Sequence, residues 1–575
     1  MKNLSTVLLA MSASCFARGF QLSDVHFWAG EGTNAAALVV DWSADGAAPL
    51  AWGWRWNGSA TVADALHGIV REDPRLHALG GGPDRDPLYA LGYDRADVAA
   101  AFRFDFNGGN VVAEASDDDA LVAGGWLDGY WRQWTANASG AFDASSLGYG
   151  NGLSATPLAD GSWHVLQFQR PEWGWNAHPL SGEPVAAESP YAWRVVAADV
   201  AAGGDYGDPD NALGGPSRSV PGFELYNIPP TTVNPASSAW GPGRLVTLES
   251  RTTGTGRGSI TVEFDHLVVD DPRNPFGLDF IVFGNPIHTI GDGVWFDGVS
   301  DPATVRFGTG DVGAEPGLVE VSADGATWFV FADGPWADGF APTLSHRYDP
   351  ENPDRSLFGD AADTNEWWGA PTDATRPVDP TIAAAAFQGR TLADYARLYD
   401  GSAGGTGFDI SSFDLPRDAL GRRFVRFVRI TSLDPNDNGD FTEVDAVADV
   451  APAPSFRNWV DAHVAFEDRP GFAKTNLCAN GAPAFANAAL GLAPDAPAPA
   501  AWAIEGFDPA TGALAAPFAP FASDLVFLRS AATLTNAAWV VSLPHWSGTN
   551  ALGRPLLLVP DPEAPSAFFR LELHE

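Results

Sequence analysis

Alternating apolar and polar positions recur along most of the chain and predict many short β-strands. Near the start, ALVVDW (37–42) and LAWGWRW (50–56) predict two strands, and the SADGAAP stretch between them has turn chemistry. The same alternation predicts further strands near 100–106, 163–169 and 192–197.

After the second predicted strand, the spacing of apolar residues changes from two to three or four. Val62, Leu66 and Ile69 form one stripe, which predicts a helix over 61–76. Thr61 is the expected N-cap, with Asp64 three residues later as the second half of a capping box. Strands with one helix against a sheet predict an α+β N-terminal domain.

The middle of the chain has the pattern of a sandwich. SITVEFDHLVV (259–269) and LDFIVFGN (278–285) predict buried strands, and 318–331 predicts a hairpin that turns at Asp324 and Gly325. In 422–433 apolar residues alternate with arginine, so one face is expected to be buried and one wet. Strands at this spacing predict a central antiparallel β-sandwich.

The last part of the chain begins with weakly helical, Ala-rich sequence and ends in strands (525–530, 537–543 and 567–573), which predicts a small C-terminal β-sandwich. The APAPS stretch before it predicts a short linker. The expected fold is therefore mainly β and multidomain. Its expected parts are a signal peptide (1–19), a Trp-rich α+β domain (20–202), a β-sandwich (203–450), the linker (451–455) and a C-terminal β module (456–575).

The first residues have the features of a secretory signal peptide. Lys2 precedes an apolar run over 4–16, and small residues follow, so cleavage is expected after Ala17. A lipoprotein acylated at Cys15 is the alternative. Cleavage would leave Cys478 as the one cysteine, so no intrachain disulfide is expected. No later run of about 18 apolar residues predicts a membrane span, and the expected location is extracellular or on the outer cell surface.

The charge balance excludes some partners. A net charge of −39 disfavours nucleic acid, whose phosphates need a basic surface, and equally disfavours an anionic membrane. Cations and neutral ligands remain compatible with it.

Two groups of aromatic residues are candidate ligand contacts. Trp52, Trp54 and Trp56 alternate along one strand, so their indoles share one face and would form a platform for a sugar or a corrin-like ring. The alternative is that this face is the domain core. The second group lies in Gly-rich, less regular sequence, where binding and packing are equally compatible: Tyr130, Trp131, Trp134, Trp173 and Trp175.

Two oxygen-rich loops predict a structural Ca²⁺ site. Ca²⁺ takes six to eight hard oxygen ligands, and neighbouring first and last strands of a sandwich would bring the loops together. Asx-turns at strand ends are the alternative. The candidate ligands are Asp208, Asp210, Asn211, Asp437, Asp440, Glu443 and Asp445.

Catalytic motifs are not evident. The sequence contains no G-x-S-x-G, H-E-x-x-H or P-loop pattern, which favours a protein that is not an enzyme. A glycosidase with a carboxylate pair stays open, because 72 acidic residues do not single one out.

Most of 20–185 resembles a secreted domain of Bacteroidetes, cyanobacteria and related bacteria. The matching stretches are WAGEGTNAAALVVDW (28–42), AWGWRWNG (51–58), ADALHGIVREDPRL (63–76) and GWLDGYWRQW (125–134). A Trp-bearing strand followed by a short helix is also similar to the β-grasp domain of transcobalamin-type proteins, which implies a β-grasp-like fold.

The remaining segments resemble other secreted modules. YGDPDNALGGP (206–216), GLDFIVFGN (277–285) and FVRITSLDPNDNGDFTEVDAV (427–447) resemble the galactose-binding-like jelly roll of bacterial surface proteins, which implies that fold. ANAALGLAP (486–494) and RSAATLTNAAWVVS (529–542) resemble C-terminal β modules of Verrucomicrobia-type secreted proteins, although the Asp-rich half of that module is missing here.

The expected function is a secreted or cell-surface protein that binds a ligand without catalysis, with carbohydrate as the expected ligand. Capture of a corrinoid or another nutrient for uptake is one alternative. A structural or adhesive surface protein is another. Partner proteins at the surface or in uptake belong to these hypotheses.

Overall fold

The computed structural model describes sixteen stretches and seven later strands that lie between 506 and 573. The stretches are 19–44, 46–81, 86–94, 102–107, 110–115, 120–136, 141–173, 178–201, 203–220, 231–250, 256–293, 300–354, 366–433, 441–453, 455–490 and 492–497. The fold is mainly β with several sheets, which confirms the coarse expectation. Residues 1–18, on which the secretion prediction depends, lie outside the described residues.

The N-terminal segment contains one helix, α1 (Val62–Glu72). Its strands are β1 (Trp28–Ala29), β2 (Asn34–Asp41), β3 (Leu50–Trp56), β4 (Leu76–Gly80), β5 (Leu88–Tyr93), β6 (Phe102–Asn107), β7 (Asn110–Ala115), β8 (Leu121–Gly124), β9 (Tyr130–Ala136), β10 (Gly148–Tyr149), β11 (Trp163–Gln169), β12 (Val185–Ala186) and β13 (Arg194–Asp199).

The largest sheet of this segment is mixed. Its order is β1-β3-β2-β11-β9-β10, and β12 also pairs with β3. β11 runs parallel to β2 and antiparallel to β9. The smaller sheets are β4-β5-β8 and the pair β6-β7.

Helix α1 begins as expected and ends earlier than expected. Thr61 and Asp64 form the predicted capping box, with Thr61 Oγ1 accepting from the Asp64 amide. The helix stops at Glu72, whereas the apolar stripe predicted 61–76. The cause is Pro74, because a residue before proline disfavours the α conformation, and Asp73 is extended.

The central segment contains α2 (Leu392–Leu398) and many short strands. These strands are β14 (Ser219–Val220), β15 (Thr231–Thr232), β16 (Val246–Thr247), β17 (Glu249–Ser250), β18 (Gly256–Arg257), β19 (Ser259–Val269), β20 (Phe280–Phe283), β21 (Ile287–Asp292), β22 (Arg306–Gly313), β23 (Gly317–Ser322), β24 (Phe329–Val330), β25 (His346–Tyr348), β26 (Trp368–Pro371), β27 (Thr406–Phe408), β28 (Phe424–Ser432), β29 (Glu443–Val444) and β30 (Ala446–Asp449).

Two antiparallel sheets of this segment enclose one apolar core, so the fold here is sandwich-like. One sheet has the order β13-β19-β28-β23-β24, and the other has the order β27-β20-β30. Val262 and Val428 from the first sheet belong to the same core cluster as Phe280 and Val447 from the second. β13 lies within 20–202, yet it pairs with β19.

Local patterns of the sandwich agree with the sequence. Asp324 and Gly325 form the turn between β23 and β24, and Gly325 has a φ of +72°. On β28, Val428 and Ile430 are fully buried, while Arg429 between them remains partly exposed. The predicted hairpin and the two-faced strand are therefore confirmed.

The C-terminal segment has two short helices followed by strands. The helices are α3 (Ser455–His463) and α4 (Ala484–Leu490). The strands are β31 (Gly506–Asp508), β32 (Ala513–Ala515), β33 (Val526–Ala531), β34 (Val540–Val541), β35 (His545–Thr549), β36 (Pro555–Leu558) and β37 (Phe568–Leu573). They form the sheets β31-β32-β36-β35 and β34-β33-β37.

The N-terminal and central segments share one apolar core. Trp52 and Leu66 of the first belong to the same buried cluster as Ile281 and Ala446 of the second. The two segments therefore pack as one body here, because an apolar cluster that spans both excludes water between them.

Ionic contacts surround this shared core. The Glu31 carboxylate accepts hydrogen bonds from the Arg218 amide (2.8 Å), the Ser219 hydroxyl (2.9 Å) and the Arg244 guanidinium (2.9 Å). His26 Nδ1 lies 2.8 Å from Asp265 Oδ2. Both contacts join the N-terminal segment to the sandwich.

Candidate functional site

Two of the three alternating indoles of β3, Trp52 and Trp54, pack against α1 or the residue that ends it. Trp52 has no exposed surface, and its Nε1 donates to Asp73 Oδ2 at 2.9 Å. Trp56 is 5% exposed, and Trp54 packs against the buried cluster. A Cβ on Gly68 of α1 would lie 1.9 Å from the Trp54 ring, so the missing side chain lets the helix cover it. Trp52 and Trp56 therefore belong to the core, which is the alternative that the sequence left open, and Trp54 is partly buried.

Strand β9 separates its aromatic residues onto two faces. The Trp131 ring lies edge-on to Trp42 at 6.1 Å, and its Nε1 donates to the Ala123 carbonyl at 3.1 Å. Trp134, on the other face, is 2% exposed. Both indoles pack the fold and offer little surface to a ligand.

Strands β9 and β10 carry a group that we call the tyrosine–arginine surface: Tyr130, Arg132 and Tyr149. Tyr149 is exposed, whereas Tyr130 and Arg132 are half-buried beside Trp134 on the same face of β9. The Arg132 guanidinium carbon lies 5.1 Å from the Tyr130 ring centroid and 4.9 Å from the Tyr149 ring centroid. Arg132 Nη1 also bonds to the Tyr149 hydroxyl. Tyr149 is 59% exposed. A guanidinium held between rings in this way fixes their orientation.

Arg132 and Tyr149 are site residues that the sequence reasoning missed. Arg132 lies between Tyr130 and Trp134 in the YWRQW stretch. Because side chains alternate along a strand, this spacing predicts that all three lie on one face. Tyr149 lies in Gly-rich sequence with no periodicity, and only the pairing of Tyr149 with Trp134 brings it there.

One tryptophan with an exposed indole, Trp126, lies in the turn before β9. Trp126 is 49% exposed, and its ring meets Tyr89 edge-on at 5.9 Å. Trp173 instead stacks on His178, with ring centroids 3.7 Å apart, so one of its faces is occupied. Trp175 lies outside the described residues.

The expected Ca²⁺ ligands of the first loop have local roles. Asp208 caps a short 3₁₀ helix by accepting from the Asp210 amide at 3.1 Å, which is Asx-turn chemistry. Asn211 Nδ2 donates to the Leu245 carbonyl at 3.0 Å. Asp210 is exposed. The structure does not group these three with Glu443 or Asp445 among the described residues.

The expected ligands of the second loop are divided. Asp437 and Asp440 lie outside the described residues. Asp445 is buried and accepts from the Ser217 amide and hydroxyl, both at 2.8 Å. Burial raises the pKa of Asp445 to about 7. Calcium binding stays a prediction.

Glu443 belongs to a different acidic group, which the sequence did not indicate. Carboxylate oxygens of Glu315, Asp338 and Glu443 lie within 4.8 Å of one another. Asp338 is 1% exposed and accepts from the amides of Asn285 (2.9 Å) and Glu443 (3.0 Å). Glu315 and Asp338 lie in separate loops, with no local pattern that marks them.

The electrostatics of this acidic group favour neutral carboxyls. Burial raises the pKa of Asp338 well above its usual value and raises the pKa of Glu443. A proton or a cation would relieve the same repulsion, and carboxylate oxygens suit hard cations. The hydrogen bonds from backbone amides already assign Asp338 a structural role.

Comparison with known proteins adds no relative: no protein-family model, curated protein or solved structure matches this chain. The described part of the chain contains no helix that is both long and apolar enough to cross a membrane.

Proposed function

We propose that this chain binds a carbohydrate without catalysis, and that the tyrosine–arginine surface is the contact. The observation that carries the proposal is the exposure of Tyr149 beside Arg132, on the short strand that pairs with β9. Sugar faces are apolar and stack on aromatic rings, while a guanidinium donates to hydroxyl oxygens. The tyrosine–arginine surface supplies both an aromatic ring and a guanidinium, which lie 4.9 Å apart in Tyr149 and Arg132.

We also propose a fold for each of the three segments and a location for the protein outside the cell. The N-terminal segment is proposed to be β-grasp-like, the central sandwich a jelly roll and the C-terminal strands a small sandwich. The signal-like residues 1–19 support secretion or display on the outer surface. Partner proteins at the surface would then meet the chain outside the cell.

The first test is a glycan panel read by intrinsic tryptophan fluorescence. Trp134 is a built-in reporter, because its ring lies 5.1 Å from Tyr149. We expect Tyr149→Ala to weaken binding of any responding glycan about tenfold, since a lost stacking contact costs about 1–1.5 kcal/mol. Arg132→Ala should weaken it similarly, because the ring orientation is released.

The control is an arginine–aromatic pair on the sandwich. Arg429 lies 4.0 Å from the Trp328 ring, and it also pairs with Glu320. Trp328→Ala should leave glycan binding unchanged. If Trp328→Ala and Tyr149→Ala weaken binding equally, or if no glycan in the panel responds, the proposal fails.

A structural or adhesive role is the second candidate. The shared core favours it, because the two segments are joined into one stiff body. Adhesion to a surface without response to any soluble glycan would favour this role over the first. Corrinoid capture loses its main support, because the indoles of β3 are covered by α1.

A further inference from the structure

A concave pocket lies between the central segment and the start of the C-terminal segment. Its volume is about 400 Å³, within the range of small-molecule sites. Strand β25 and helix α2 form one side, and residues 470–471 close the other. The polar residues that line it are Arg347, Tyr348, Asp394, Arg397 and Asp400.

The acidic residues of this pocket are already engaged. Asp394 accepts from the Thr391 amide (3.1 Å) and hydroxyl (3.0 Å) as part of the α2 capping box. Asp400 forms an ion pair with Arg457 and lies 3.9 Å from Arg376. Asp400 is therefore paired with cations from outside the pocket, whereas Asp394 is held by the neutral donors of Thr391.

The two arginines of the pocket differ. Arg397 donates to the Glu467 carbonyl at 3.0 Å and lies 3.7 Å from its carboxylate. Arg347 is exposed and has no hydrogen bond or ion pair with any residue in the described part of the chain. Arg347 is thus the cation of the lining that has no ion pair within the described residues, in a chain of net charge −39.

The backbone of Gly401 leaves room for this guanidinium at the pocket. Gly401 has a φ of +87°, and a Cβ there would lie 2.9 Å from Arg347 Nη2. The absent side chain lets the guanidinium lie against the turn after α2. Tyr348 follows Arg347 and is partly exposed at the same wall.

We propose that this pocket binds a sugar that carries a carboxylate, a hexuronate, with Arg347 as the carboxylate contact. A guanidinium donates two parallel hydrogen bonds to a carboxylate, and the Tyr348 side chain offers a ring and a hydroxyl to the sugar. The pocket is separate from the tyrosine–arginine surface, so this site goes beyond the proposed function.

The test is calorimetric titration of the full chain with D-galacturonate, with D-galactose and sulfate as separate arms. We expect galacturonate to bind and galactose to bind at least on the order of tenfold more weakly, because the charge-assisted pair is absent. Arg347→Ala should abolish the preference for galacturonate. Arg347→Lys should keep part of it, since the charge stays and the two-bond geometry is lost.

Arg55→Ala is the matched control. Arg55 is also exposed and lies 4.7 Å from the Trp28 ring centroid, but outside the pocket. This variant should bind galacturonate as the parent does. Absence of galacturonate binding, or binding that survives Arg347→Ala, would overturn the site. Sulfate binding as tight as galacturonate would overturn the assignment to a carboxylate sugar.

These outcomes are distinguishable from failure of the proposed function. Tyr149→Ala lies in another segment and should leave galacturonate titration unchanged. Conversely, Arg347→Ala should leave the response of neutral glycans at the tyrosine–arginine surface unchanged.

Discussion

At the scale of single residues, Trp52 is enclosed by packing and by one hydrogen bond. Its ring lies edge-on to Tyr93 at 5.4 Å and to Trp42 at 6.4 Å. Its Nε1 donates to Asp73, a carboxylate with no exposed surface that also accepts from Arg75 at 2.9 Å. Replacing the indole by a phenyl ring would leave a cavity and a buried carboxylate with one donor fewer.

Trp52→Phe should therefore lower the free energy of unfolding by about 2–3 kcal/mol, from the volume lost and the missing donor. Urea unfolding followed by circular dichroism measures it. Trp126→Phe is the control, because Trp126 is 49% exposed and should change stability by no more than about 0.5 kcal/mol. Equal effects of the two changes would contradict the buried position of Trp52.

Two buried carboxyls of the sandwich make stability depend on pH. Burial raises the pKa of Asp445 from 3.8 to about 7 and that of Asp279 from 3.8 to about 8. The folded chain then holds these protons more tightly than the unfolded chain. Their contribution to stability is complete below about pH 4 and is lost as pH rises through 7 to 8.

Asp445→Asn should reduce the fall of unfolding free energy between pH 5 and pH 8, since the amide does not titrate. Urea midpoints across that range measure the slope. Asp324→Asn is the control: hydrogen bonds from the Thr327 and Ala326 amides hold the pKa of this exposed carboxyl at about 2, so it stays ionised throughout. An unchanged slope in Asp445→Asn would contradict the assignment.

At the scale of elements, the hairpin of β23 and β24 depends on a left-handed turn residue. Gly325 has a φ of +72°, and a Cβ there would meet only Phe427 at 3.5 Å, an ordinary contact. A side chain at this position would therefore be strained by its backbone conformation and not by crowding.

Gly325→Ala should lower the unfolding free energy by about 1–2 kcal/mol for that reason. Thermal unfolding and urea titration both report it. Gly182→Ala is the control, because Gly182 is exposed, has an ordinary φ and has its nearest neighbour 3.8 Å away. If both changes are neutral, the turn is not the left-handed one described.

Local elements could be predicted where the interactions that determine them lie within a few neighbouring residues. The capping box at Thr61, the turn at Asp324 and the two-faced strand at 422–433 each follow from neighbouring residues. The end of α1 was missed, because the apolar stripe outweighed Pro74.

The candidate sites could be predicted only in part, because they depend on long-range contacts. Tyr130 was expected, but Tyr149 reaches it only through strand pairing. For Trp52 the sequence left ligand contact and core packing open, because the face of a strand does not reveal which element covers it. Arg347 and Gly401 meet across more than fifty residues, with no shared pattern.

At the scale of the whole molecule, the joint between the N-terminal and central segments determines cooperativity. Glu31 accepts hydrogen bonds from Arg218, Ser219 and Arg244, and the apolar core continues beneath them. We expect these two segments to unfold in one transition, because neither can open without exposing core of the other.

Glu31→Ala should lower the unfolding free energy of this body by about 2 kcal/mol, since hydrogen bonds to a charged group are lost. Calorimetry of the full chain measures both the shift and the number of transitions. Glu183→Ala is the control, because Glu183 is exposed and contacts none of these residues. Two separate transitions for the N-terminal and central segments would contradict the shared core.

The crossing of β13 into the central sheet bears on how the protein can be divided. A fragment that starts at residue 203 would lack Arg194–Asp199 and leave the long strand β19 with an open row of amides and carbonyls. Such an edge recruits other chains, so this fragment should scatter more light than a fragment that starts before Arg194 and keeps β13, since both expose the shared core and only the first also exposes the edge of β19.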